Sequence, residues 1–129
     1  VFLLWLIHFL PFRVLVWIGT VLGSLLYLLG AERRRVGAIN LKLCFPELSA
    51  QARKQLLRDH FKMFSRGLIE RTILWWSSAE YISSLIHIEG MEHFEAIKGQ
   101  PAILLTPHFV GMDAGGQWIA QHTDTVCMY

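Results

Sequence analysis

Residues 102–116 read AILLTPHFVGMDAGG, and the fold class turns on how this stretch is read. Ala102 to Thr106 is a short, continuously apolar run, the pattern of a strand buried on both faces of a parallel sheet. Pro107 disfavours helical backbone at Thr106 and so sets the run apart from the residues after it. Met112 to Gln121 then has the spacing of a helix. To either side, Leu85–Glu89 (LIHIE) is a second expected strand, Gly90 a turn, Met91–Lys98 a short helix stopped by Gly99, and Thr125–Tyr129 a third strand. Strand, helix, strand, helix, strand predicts an α/β fold with the start of a parallel sheet. Three strands make a poor sheet alone, so the chain is expected to be the front portion of a longer protein.

The front of the chain is of a different kind. Val14 to Ala31 (VLVWIGTVLGSLLYLLGA) is uncharged, and Arg13 is the one formally charged side chain between Val1 and Ala31. At about 1.5 Å per residue, a helix of this length approaches the roughly 30 Å of a bilayer's hydrocarbon core. Three arrangements fit: a span, an interfacial helix broken near Pro11 and Arg13, and a buried helix of a soluble core. Apolar residues on all sides of the helix, with Trp5, Trp17 and Tyr27 among them, favour membrane insertion. A cleaved signal peptide carries its basic residues first, whereas Glu32-Arg33-Arg34-Arg35 comes after this core. Residues 1–31 are therefore expected to be a membrane segment with a single span. By the positive-inside tendency, residues 32–129 are expected on the cytoplasmic side.

Charge is distributed unevenly. Residues 1–71 hold eleven Lys/Arg and four Asp/Glu, and residues 72–129 hold one and six. After a turn at Cys44-Phe45-Pro46-Glu47, Ser49 is a plausible N-cap for a long amphipathic helix reaching about Trp76. Leu57, Phe61, Phe64, Leu68 and Thr72 form its expected buried stripe. Lys54, Arg58, Lys62 and Arg66 recur every fourth residue as a basic ridge, which is either an ordinary solvated face or a docking surface. Together with Arg33, Arg34 and Arg35, the ridge favours anionic lipid or an acidic protein as counterpart. Nucleic acid is not expected, because aromatic side chains do not interleave with the bases. Cys44 and Cys127 have no metal-type spacing, and no metal or other cofactor is expected.

His108 and Asp113 are the candidate chemical pair. His108 falls at the carboxyl end of an expected parallel strand, where ligands of open α/β sheets bind. Five residues of ideal helix would place the two on different faces, so they meet only across a tight turn, which Gly111 makes easier. A carboxylate holding one ring nitrogen fixes the tautomer and stabilises the imidazolium formed when the other nitrogen takes a proton. Such a pair is a general base without a nucleophile of its own, suited to a substrate hydroxyl that attacks. The alternative is a packed histidine beside a helix-capping aspartate. Phe109, Met112 and Trp118 are candidates for an apolar groove beside the pair, with an ordinary core role as the alternative.

Beyond the pair, NLKLCFPELS (residues 40–49), IEGMEHFEAI (88–97) and GQPAILLTPHFVGMD (99–113) resemble the N-terminal portion of the late acyltransferases of lipid A biosynthesis. These are the lauroyl and myristoyl transferases of Gram-negative bacteria, within the glycerolipid acyltransferase superfamily. The resemblance implies an inner-membrane enzyme whose cytoplasmic face moves a fatty acyl group from acyl carrier protein to a hydroxyl of the Kdo-linked lipid A precursor. It implies His108 as the base of an H-x4-D motif and Asp113 as the residue that orients it. It also implies a longer native chain, since the family's later arginine-containing and glycine/proline-rich motifs lie beyond Tyr129. Acylation of another membrane lipid, such as a phospholipid or a phosphatidylinositol mannoside, and a non-catalytic membrane-tethered role are the alternatives.

Overall fold

The computed structural model describes residues 2–126. The chain divides after Ile73 into two compact units. In the first, α1 (Phe2–Ile7) and α2 (Phe12–Leu29) are separated at Pro11, whose fixed φ of −55° suits the residue just before a helix. Gly30 donates its N–H to Leu26 O at 2.8 Å and ends α2, and α3 (Ala31–Cys44) starts at the next residue. After the loop around Pro46, Ser49 Oγ accepts the Ala52 N–H at 3.1 Å, capping α4 (Ala50–Trp76). The last three residues of α4 fall in the second unit.

The helix α2 packs on α4 through glycine. A Cβ added at Gly19 would lie 2.7 Å from Arg66 Cα, and one added at Gly23 would lie 2.5 Å from Lys62 Cα. The two backbones therefore touch where only a hydrogen fits. As α2 advances from residue 19 to 23, its neighbour retreats from 66 to 62, so the helices are antiparallel. Leu15, Leu57, Ile69 and Ile73 are the buried apolar side chains described in this unit. The buried face of α4 carries Leu57, Ser65, Ile69, Thr72 and Ile73. This corrects the expected stripe, because Phe64 and Leu68 are exposed. The α2 glycines bring the α4 backbone at Lys62 and Arg66 close, and the burial of a face depends on that neighbour: Ser65, next in sequence to Arg66, is buried while the bulkier Phe64 is exposed.

The second unit is also helical: α5 (Ala79–Leu85), α6 (Met91–Ile97) and α7 (Met112–His122). Ser78 Oγ caps α5 by accepting the Tyr81 N–H at 3.2 Å. Contacts join α5 to α7, where Ser83 Oγ donates to Gln121 Oε1 at 3.3 Å. The rings of Phe94 and Trp118 meet edge to face at 5.7 Å, which ties α6 to α7. No strand occurs among the described residues. The expected strand at Leu85–Glu89 is the end of α5 and an irregular segment, and Ala102–Thr106 is irregular as well. Of the third expected strand, Thr125 and Val126 are irregular and residues 127–129 lie outside the described residues. The start of a parallel sheet is thus not present among the described residues. The physical reason is pairing: an apolar strand is held by neighbours on both edges, and here Ile103 is 93% and Leu105 96% exposed.

Candidate active site

The segment between Pro107 and α7 is built from two successive turns. Phe109 donates its N–H to Pro107 O at 2.8 Å, which makes His108 the central residue of a γ-turn. Met112 then donates to Phe109 O at 3.2 Å, closing a β-turn over Phe109–Met112. Gly111 occupies its third position with φ 91° and ψ 0°, and no non-glycine residue described has positive φ, so the turn is type II. A side chain at Gly111 would be strained whatever the space around it, and in fact nothing lies within 4 Å of a Cβ placed there.

His108 and Asp113 therefore flank one reverse turn, and both are exposed. Asp113 stands in the first turn of α7, where the positive end of the helix dipole favours a carboxylate. Gly115 and Gly116 come next, with nothing within 4 Å of a Cβ at either position, leaving open space along the start of the helix. Phe109 is 74% exposed beside His108, and Met112 is half-buried. Trp118 is engaged elsewhere, stacked on His122 at 4.1 Å and against Phe94.

The basic residues belong to the first unit and divide by their surroundings. A cleft of about 480 Å³ lies between α3 and α4, lined by Arg34, Arg35 and Lys42 on one side and Arg53 and Lys54 on the other. Tyr27 also lines it, and no carboxylate does among the described residues. A smaller cleft of about 210 Å³ is lined by Ser24, Tyr27, Leu28, Arg58 and Lys62. Arg34 donates to the carbonyls of Tyr27 and Leu28, and its guanidinium lies 5.3 Å from the Tyr27 ring centroid. It thus satisfies carbonyls that the end of α2 leaves unpaired. The guanidinium of Arg58 lies 5.5 Å from the same ring. Arg66 donates Nε to Thr20 Oγ1 at 2.8 Å and lines neither cleft, and Arg33 is exposed outside both.

Sequence reasoning missed Tyr27, Lys42 and Arg53 as cleft residues. Arg53 folds back over the loop before α4, donating to Phe45 O at 3.2 Å, to Pro46 O at 3.3 Å and to Leu48 O. Its position in the first turn of a helix, where basic residues are disfavoured, was the available signal. Burial pushes the Glu70 carboxyl of α4 above the ordinary carboxylate range, with Arg66 partly opposing the shift. No group of His, Cys, Asp and Glu that could hold a metal occurs among the described residues.

Over residues 1–129 the sequence matches the family model described as bacterial lipid A biosynthesis acyltransferase. It is 29% identical over 128 residues to a lipid A biosynthesis lauroyltransferase of Escherichia coli K12, covering 98% of this chain and 42% of that protein. It is 26% identical to a palmitoleoyltransferase of the same strain over 116 residues, 88% of this chain and 38% of the relative. A myristoyltransferase of that strain is 30% identical over 94 residues, 71% of this chain and 29% of the relative. No solved structure matches. The chain spans less than half the length of these relatives, and across all of that span it belongs to the bacterial lipid A biosynthesis acyltransferase family.

Proposed function

We propose that the whole protein transfers a fatty acyl group from acyl carrier protein to a hydroxyl of the Kdo-linked lipid A precursor. Family membership supports the reaction class. The observation that carries the chemistry is the type II turn that puts His108 and Asp113 on either side of Gly111 with the imidazole open to an incoming group. His108 accepts the proton of the attacking hydroxyl, and Asp113 orients the ring and stabilises the imidazolium. The hydroxyl oxygen bonds to the thioester carbonyl carbon, the carbon–sulfur bond breaks, and the proton passes from the imidazolium to the departing thiolate. Phe109 and Met112 stand at the mouth of the groove for the acyl chain.

Arg33, Arg34, Arg35, Lys54, Arg58, Lys62 and Arg66 supply positive charge for the acidic carrier protein and for the acceptor's phosphates. The two basic clefts support this reading for Arg34, Arg35, Lys54, Arg58 and Lys62, which line them. Residues 1–31 anchor the protein in the bacterial inner membrane, and residues 32–129 form the N-terminal part of an acyltransferase domain on the cytoplasmic face. The apolar helix Phe12–Leu29 supports the anchor. Residues 102–106 become a strand of a parallel sheet once the rest of the enzyme supplies its neighbours.

The test is a comparison of acceptors with the full-length protein and acyl carrier protein thioesters. Acylation of the lipid A precursor, with none of a phospholipid or of a phosphatidylinositol mannoside, is expected. Transfer to the mannoside alone would overturn the assignment of acceptor.

A further inference from the structure

The cleft between α3 and α4 holds more positive charge than its surroundings balance. Arg34, Arg35 and Lys42 face Arg53 and Lys54 across about 480 Å³, and none of the five takes part in an ion pair among the described residues. Like charges gathered in one cleft repel one another, a cost that a bound anion removes. Two of the cations are fixed before any ligand arrives. Arg34 donates Nη1 to the carbonyls of Tyr27 and Leu28, and Arg53 donates Nη1 to those of Phe45, Pro46 and Leu48. Carbonyls hold a guanidinium in place without neutralising it. Each keeps its Nε and Nη2 donors, an edge able to grip an oxyanion through two parallel bonds. Ala31, Ala38 and Ala50 line the rest of the cleft with side chains short enough to leave it open. Buried Leu57 forms the floor, where a Cβ added at Gly37 would lie 2.6 Å from its Cδ1, so α3 and α4 meet beneath the cleft.

Position narrows the choice of ligand. Tyr27, which lines the cleft, is near the end of α2, the helix long and apolar enough to cross a membrane, and Arg34 binds the carbonyls at that end. A lipid beside the end of α2 keeps its chains along the helix and brings its headgroup to the cleft. Charge narrows the choice further. A phosphodiester carries one negative charge, whereas a terminal phosphate monoester approaches two at neutral pH and offers three acceptor oxygens. Five unbalanced cations favour the monoester, and the volume leaves room for the group that bears it. The acidic carrier protein is attracted by the field of the same cations at a distance, which requires none of its residues to enter the cleft.

We propose that the cleft between α3 and α4 binds the terminal phosphate monoester of a membrane lipid's headgroup. Arg34 and Arg53 are its fixed forks, and Arg35, Lys42 and Lys54 supply the charge around them. This deepens the reading that the basic residues meet the acceptor's phosphates, and rests on it.

The experiment measures binding of two short-chain lipids to the full-length protein in neutral detergent micelles at about pH 8, where a phosphate monoester has lost its second proton. Phosphatidic acid presents a monoester and phosphatidylglycerol a diester. Phosphatidic acid is expected to bind roughly tenfold tighter. Arg35→Gln combined with Lys42→Gln removes two exposed cations that make no hydrogen bond or ion pair among the described residues. That variant is expected to bind the two lipids within about twofold of each other. Equal affinity of the wild type for both lipids would overturn the proposal, as would a preference that survives in the double variant. Displacement of phosphatidic acid by an equal concentration of inorganic phosphate would assign the cleft to a soluble anion and overturn the lipid. This readout does not depend on which lipid is acylated: transfer to the mannoside alone would overturn the acceptor with the monoester preference intact, and loss of the preference would leave the comparison of acceptors standing.

Discussion

At the scale of single residues, Gly111 is the position on which the geometry between His108 and Asp113 depends. With φ at 91° it holds a conformation that a side chain makes costly, by about 1–3 kcal/mol for strained backbone of this kind. Gly111→Val is expected to lower acyl transfer by the full-length protein, whereas Gly115→Ala, beyond the turn, stays near wild type. Equal loss in both variants would show that the turn has no special part. Glu70 gives a second test. Its folded-state pKa is raised by burial, so its charge weighs against folding above that pKa, and this handicap disappears as pH falls below the ordinary carboxylate value. Glu70→Gln should therefore melt higher than wild type at pH 7, with the difference closing toward pH 4. A variant less stable at pH 7 would show that the pairing with Arg66 outweighs burial.

Among the elements, α2, α4 and the caps that bound them arise from local chemistry. The uncharged run after Arg13, the Ser49 cap and the four-residue spacing in α4 are all short-range signals, and Ser49→Ala is expected to cost about 1 kcal/mol. The face that α4 buries was legible only in part, at Leu57 and Thr72, because the rest depends on which helix packs against it. Phe64 and Leu68 have the size of core residues, yet Ser65 is the buried one, next in sequence to Arg66, whose Cα lies against Gly19 of α2. Gly23→Ala should accordingly destabilise the protein by about 1–3 kcal/mol, since its Cβ meets backbone rather than a yielding side chain. An unchanged melting temperature would mean that the helices separate at no cost. The expected strands show the converse limit. AILLT has the composition of a buried strand, but a strand is a property of its neighbours, and Ile103 and Leu105 have none that cover them.

For the molecule as a whole, the surplus of cations in residues 1–71 was visible in the sequence, but not their sorting. The structure gathers Arg35 and Lys54 into one cleft, puts Arg58 and Lys62 at another, and commits Arg66 to Thr20. Reversing Arg35 and Lys54 to glutamate is expected to weaken binding of acyl carrier protein at low salt, with the difference shrinking as the Debye length falls to about 8 Å at physiological ionic strength. Unchanged binding at low salt would remove the larger cleft from carrier recognition. The most direct measurement of all is the rate of acyl transfer by full-length protein carrying His108→Ala, assayed beside wild type in equal amounts of membrane-bound enzyme. Removal of a general base predicts a fall of roughly 10²–10⁴-fold with membrane association intact. A variant that turns over at a near wild-type rate would contradict the role of the imidazole.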